Sequence, residues 1–109
     1  MPTWVLLAMA IVAEVTATTS LKVSEGFTRL GPIAVVVIGY MASFALLGLI
    51  FARDTSLGVV YAIWAATGVA LIVLVDVVFF GHRLSLVQAV GMALVVGGVL
   101  ALELGGGAA

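Results

Sequence analysis

Glu14 lies near the midpoint of LLAMAIVAEVTATTSL, an apolar run over residues 6–21 with no basic residue beside the carboxylate. A charge at the centre of a bilayer-spanning segment costs on the order of 3 kcal/mol unless it is protonated, paired or facing water. Packing alone requires no acid there. Residues three and four apart share a helix face, so Leu7, Ala10, Ile11, Ala17 and Thr18 flank Glu14 with an apolar or small surround and one hydroxyl. A carboxyl so placed can hold a proton or a cation, and each ligand weakens the other. The other reading is a protonated structural carboxyl, hydrogen-bonded between helices.

Aromatic residues supply a recognition surface for such a cation. Trp4, Tyr40, Tyr61 and Trp64 offer π-faces, and a desolvated cation–π contact is worth about 2 kcal/mol. Tyr61, Trp64 and Gly68 fall on one helix face, and Tyr40, Ser43, Phe44 and Leu47 on another. Taken singly, each aromatic is more often structural, by packing, and Trp4 by anchoring at the membrane interface. Asp76 sits about one turn from the end of its apolar run, placed to reach headgroups and available as an accessory acid, although a negative charge is mildly unfavourable at a helix C-terminus. His82 reads as a solvated loop residue that makes no metal site alone. Arg29, Arg53, Arg83, Asp54 and Glu103 read as interfacial charges. Phosphate-binding glycine loops, paired metal ligands and nucleophile–base sets are missing, so neither an enzyme, a cofactor nor a metal is expected.

The elements carrying these residues follow from composition. The chain has 109 residues, 65% hydrophobic and 8% charged, with a mean hydropathy of +1.44; soluble domains carry roughly 25% charged residues. A net charge of −1 gives no basis for a nucleic-acid partner, and the lack of cysteine excludes disulfides and thiolate chemistry. No targeting peptide is apparent, so the first segment is expected to stay in the mature protein. Four runs are long enough to cross about 30 Å of hydrocarbon as helices. The expected helices cover residues 3–21, 32–52, 57–80 and 85–104, with Pro32 in the second helix's first turn and Ser85 as N-cap of the fourth. The runs are continuous rather than alternating, which argues against strands. The connections at 22–31, 53–56 and 81–85 are short, so consecutive helices are antiparallel neighbours. This is an all-α integral membrane protein forming a single domain over 1–109, with only a short small-residue end at 105–109.

Four spans place both termini and Arg53 on one side, and Lys22, Arg29 and Arg83 on the other. The positive-inside rule acts on such differences, and three against one is weak enough for insertion in both orientations. A fixed orientation with the termini outside is the alternative. Four helices do not readily enclose a substrate chamber with two alternating gates, which transporters usually build from two repeats of opposed topology. With no internal repeat in view, a transporting chain needs a second subunit, and an inverted copy of itself meets that need. The fourth helix suits the role: Ala89, Ala93, Gly97 and Ala101 recur every four residues, and Gly91 and Gly98 lie a heptad apart. Small residues let backbones approach closely in lipid. Intrachain packing is the competing explanation for the alanine stripe.

From AIVAEVTATTSLKVSEGFTRLGP (residues 10–32) through YMASF (40–44) and YAIW (61–64) to FFGHRLS and the glycine-rich fourth helix, the chain resembles the small multidrug resistance family of proton-coupled exporters. The resemblance covers nearly the whole chain. It implies an antiparallel dimer in the plasma (inner) membrane of a prokaryote, with both copies of Glu14 in one chamber. Protons and lipophilic or quaternary-ammonium cations compete there during alternating access. It further implies that Tyr40, Tyr61 and Trp64 line the chamber, with Ser43, Trp4 and Thr18 nearby, and that Gly91 and Gly98 form the dimer seam. The guanidinium-exporting branch typically has Trp one turn after the key acid and Gly one turn before it; Ala17 and Ile11 stand there, which resembles the multidrug branch. Three positions depart from the family pattern. Ala66-Thr67-Gly68 replaces Gly-x-Gly, which stiffens the third helix; Asp76 replaces a neutral residue; and Arg53–Asp54 is an unusual connection. The last points to the alternative of a paired hetero-dimeric exporter of polyamines or drugs. A non-transporting membrane assembly subunit is the alternative of a different class.

Overall fold

The computed structural model describes residues 1–106, so most of the small-residue end expected at 105–109 lies outside the described residues. Four helices follow one another: α1 (Thr3–Val23), α2 (Leu30–Phe51), α3 (Leu57–Phe79) and α4 (Leu86–Leu104). No strand occurs among the described residues. The helices have 19 to 23 residues and are apolar enough to cross a membrane. At about 1.5 Å per residue each is roughly 28–35 Å long, which matches a hydrocarbon core of about 30 Å. A helix satisfies its backbone polar groups internally, as lipid demands.

The helix ends differ slightly from those expected. α2 begins at Leu30 rather than Pro32. Proline is tolerated at this third position because a first-turn N–H has no intrahelical acceptor to lose. α1 runs two residues further, to Val23. α3 stops at Phe79, with Phe80 as its C-cap and Gly81 at φ 72° turning the chain away. The Ser85 cap is present and belongs to a capping box closed by Gln88.

The chain divides into two compact units, one covering Met1–Thr55 and the other starting at Ser56. The first is the α1–α2 hairpin and the second the α3–α4 hairpin. In the first hairpin the backbones meet at Gly39. A Cβ placed there would lie 2.8 Å from the Ala17 Cβ and 3.0 Å from the Ala13 carbonyl oxygen, so only glycine permits this approach. Close by, the fully buried Ser43 donates to the Ala10 carbonyl at 2.8 Å.

The connection between α1 and α2 is built on Ser24, which is completely buried. Its hydroxyl donates to the Leu21 carbonyl at 2.7 Å and accepts from the Phe27 amide at 3.2 Å. Its own carbonyl accepts from the Thr28 and Arg29 amides. Glu25, Gly26 and Phe27 consequently all take left-handed φ values, of 51°, 72° and 68°. Beyond α2, Arg53 Nη1 donates to Thr3 Oγ1 at 3.1 Å, which ties the connection to the start of α1. The second hairpin is built differently. Val60, Ile63 and Gly68 are the buried positions of α3, while α4 buries none of its residues.

Gly39→Ala is expected to destabilise the first hairpin by about 1–3 kcal/mol, the usual cost of overpacking. Gly48→Ala, where a Cβ meets nothing within 4 Å, serves as the control. Unfolding of the purified protein in mixed detergent micelles measures both, and equal midpoints for the two variants would contradict the close approach.

Candidate functional site

The helical periodicity of α1 puts Thr18 one turn beyond Glu14, and the two side chains bond: Thr18 Oγ1 donates to Glu14 Oε1 at 2.9 Å. The Tyr40 phenol oxygen of α2 lies 2.6 Å from the same Thr18 oxygen. A threonine hydroxyl has one proton and two lone pairs. With its proton committed to the carboxylate, it accepts from the Tyr40 hydroxyl. The result is a relay, Tyr40 to Thr18 to Glu14, held between the two helices of one hairpin. All three residues are partly buried.

Backbone geometry holds Glu14 from the other side. In an α-helix the Glu14 amide bonds the carbonyl four residues earlier, which is that of Ala10. Ser43 grips this same carbonyl from α2. The acid is therefore fixed through its peptide by Ser43 and through its carboxylate by Thr18.

The other residues singled out in the sequence fall into three groups. Leu7, Ala10, Ile11 and Ala17 are buried and pack rather than present a surface, and the Ser43 hydroxyl is spent on the backbone. Trp4 and Phe44 are exposed, at 70% and 59%. On the second hairpin, Tyr61 and Trp64 form a pair with ring centroids 5.5 Å apart and planes tilted by 34°. Gly91, Gly97 and Gly98 stand on α4, where an added Cβ would meet nothing within 4 Å.

Asp76 and His82, read separately in the sequence, are partners: His82 Nδ1 lies 2.6 Å from Asp76 Oδ1. The Asp76 carbonyl also accepts from the Phe80 and His82 amides, so the turn at Gly81 brings the ring back onto the last turn of α3. A histidine here offsets the acid's poor fit to a helix C-terminus. Ser24 stands within the 10–32 stretch but has no role assigned from the sequence; the signal available for it was a serine immediately before Glu-Gly at a helix end.

Four apolar spans define a multi-pass membrane protein, and the ionisable side chain held inside its first hairpin is the candidate site. The profile of the family described as Small Multidrug Resistance protein matches residues 2–95, and the chain belongs to that family. It is accordingly a multi-pass inner-membrane protein of a transporter family. Similar proteins include the multidrug resistance protein mmr of Mycolicibacterium paratuberculosis, 46% identical over 104 residues that cover 95% of this chain and 97% of the relative. The quaternary ammonium compound-resistance protein QacE of Escherichia coli is 46% identical over 101 residues, covering 93% of this chain and 91% of the relative. The multidrug resistance protein Mmr of Mycobacterium tuberculosis (strain H37Rv) is 48% identical over 100 residues, covering 92% and 94%.

The relay makes a specific energetic statement. In a double-mutant cycle of Thr18→Val and Tyr40→Phe, unfolding free energies should be non-additive by about 0.6 kcal/mol, and by no more than about 1.7, the range for hydrogen bonds inside membranes. Strict additivity would mean that the two hydroxyls act independently.

Proposed function

We propose that this protein exports lipophilic and quaternary-ammonium cations in exchange for protons, with Glu14 as the seat that both ligands occupy in turn. The observation that carries this reading is the relay at Glu14. A carboxylate accepts the Thr18 proton; a carboxylic acid can donate its own proton to the Thr18 oxygen, since a hydroxyl serves as donor or acceptor. Reversing both hydrogen bonds of the relay, so that Thr18 in turn donates to Tyr40, lets the site accommodate either protonation state without repacking. When the proton leaves, the negative charge in a low-dielectric surround attracts a cation. A lipophilic cation is favoured over a metal ion, because it surrenders little hydration on entry.

Aromatic groups add recognition. The Tyr40 ring is fixed beside the acid by its own hydroxyl, and Trp4 and Phe44 expose faces on the same hairpin. On the second hairpin, the Tyr61–Trp64 pair offers a further surface of the type that holds organic cations. The names of the relatives, which refer to multidrug and quaternary ammonium compound resistance, support this choice of substrate class.

Alternating access is proposed to need two copies in opposed orientation, each contributing its single four-helix domain. The weak charge bias of the loops supports it, as does the open space at Gly91, Gly97 and Gly98, which are proposed as the seam. In Gly97→Leu and Gly98→Leu, cross-linked dimer should fall severalfold in membranes; unchanged yield would remove α4 from the interface.

The exchange itself is tested in proteoliposomes. Uptake of tetraphenylphosphonium driven by a proton gradient should be lost in Glu14→Gln, with cation affinity lowered roughly 100-fold, or about 3 kcal/mol. In the wild type, affinity should rise with pH as the carboxyl ionises and then level off; in Glu14→Gln the profile should be flat. A pH-independent wild-type affinity would falsify the exchange mechanism, and uptake only on co-expression with a second gene product would identify a paired subunit.

A further inference from the structure

Where α3 gives way to α4, the second hairpin holds a groove of about 650 Å³, whose lining includes Asp76, His82, Arg83 and Gln88 with Val73 and Met92, and which reaches Gly91 at the near end of the proposed seam. Asp76 lies within one turn of the end of a 23-residue span, so the groove opens at the level of lipid headgroups. It carries charges of both signs. The Asp76 carboxylate is 40% exposed and has one oxygen engaged by His82. Among the described residues no ion pair or hydrogen bond engages the exposed Arg83 guanidinium. Gln88 uses its Oε1 to cap the Ser85 amide, which leaves its amide N–H groups as neutral donors.

We propose that this groove seats a zwitterionic phospholipid whose headgroup ends in a primary ammonium, the phosphatidylethanolamine class. Arg83 takes the phosphate, for which a guanidinium fork is suited. The second Asp76 oxygen takes the ammonium, and Val73 and Met92 lie along the first methylenes of the chains. Charge complementarity selects this occupant over others. An anionic headgroup satisfies Arg83 and is repelled by Asp76. A cation satisfies Asp76 and is repelled by Arg83. A trimethylammonium headgroup carries both charges, yet has no N–H to donate to the carboxylate. His82 acts as a positioning residue: by holding Oδ1 it turns the carboxylate's other oxygen to the groove. The site is independent of Glu14, and its failure would leave the exchange reading untouched.

The test uses the full chain, purified in detergent and offered equal amounts of phosphatidylethanolamine, phosphatidylglycerol and phosphatidylcholine with identical acyl chains, with retained lipid read by native mass spectrometry. The wild type should retain phosphatidylethanolamine about tenfold over either competitor, the scale of one charge-assisted hydrogen bond. Asp76→Asn should bring its ratio to phosphatidylglycerol to about one, and Arg83→Gln should lower retention of both about tenfold. Arg83→Lys keeps the charge and loses the fork, so its retention should fall between those of Arg83→Gln and the wild type; circular dichroism checks that each variant is helical. Retention of phosphatidylglycerol equal to that of phosphatidylethanolamine by the wild type overturns the proposal, as does an unaltered preference in Asp76→Asn. Displacement of the lipid by an equal concentration of soluble phosphoethanolamine also overturns it, because the groove would then be a site for a soluble zwitterion.

Discussion

At Gly39 the second helix comes so near the first that a single methyl group would collide with Ala17 and with the Ala13 carbonyl. In lipid there is no hydrophobic force between apolar helices, and association rests on dispersion at close range and on interhelical hydrogen bonds. The near contact supplies both. It sets the distance at which short side chains can bridge, so that Ser43 reaches the Ala10 carbonyl and Tyr40 reaches Thr18. Gly39 and Tyr40, with Ser43 one turn further on, lie on the side of α2 that meets α1, and Ala10, Glu14, Ala17 and Thr18 answer them there. Fixing the interhelical distance thus fixes the surroundings of the acid.

Those surroundings reconcile two opposed requirements. A carboxyl buried without partners is costly when ionised, and one locked in an ion pair would bind neither a proton nor an organic cation readily. Hydroxyl partners lie between these extremes. They carry no charge, they lower the cost of the ionised form, and they can reverse their role when the acid is protonated. The described side-chain partner of Glu14 is Thr18. Ser43 assists from a distance, since it grips the Ala10 carbonyl to which the Glu14 amide is bonded.

The four helices were legible because lipid imposes a severe condition, continuous apolarity over a full span, which the chain meets four times. Their ends were legible only where a side chain announces them. Ser85 did so as a cap, whereas the start of α2 at Leu30 depends on how the turn around Ser24 delivers the chain. The Glu14–Thr18 contact followed from spacing along one helix. The Tyr40–Thr18 contact did not, because it depends on the register between two helices, and that register is decided by a glycine meeting an alanine 22 residues away in sequence. Asp76 and His82 were each visible as polar residues. Their pairing depends on a left-handed turn at Gly81, and spacing alone does not predict whether a chain folds back there.

The fourth helix carries the same small residues without a backbone of its own hairpin pressed against them. Lipid alone would be satisfied by leucine and valine, and every glycine in a helix interior costs about 1 kcal/mol relative to alanine. Gly39 repays that cost within its hairpin by admitting α1. Gly91, Gly97 and Gly98 gain nothing comparable, because an added Cβ at each would meet open space within this chain. Such glycines are expected where another backbone approaches, and α4, with no buried residue of its own, is the helix on which that approach is expected. The glycine that builds the acid's hairpin and the glycines proposed to join two copies therefore use one device, the removal of a side chain so that backbones can meet in a solvent that does not push them together.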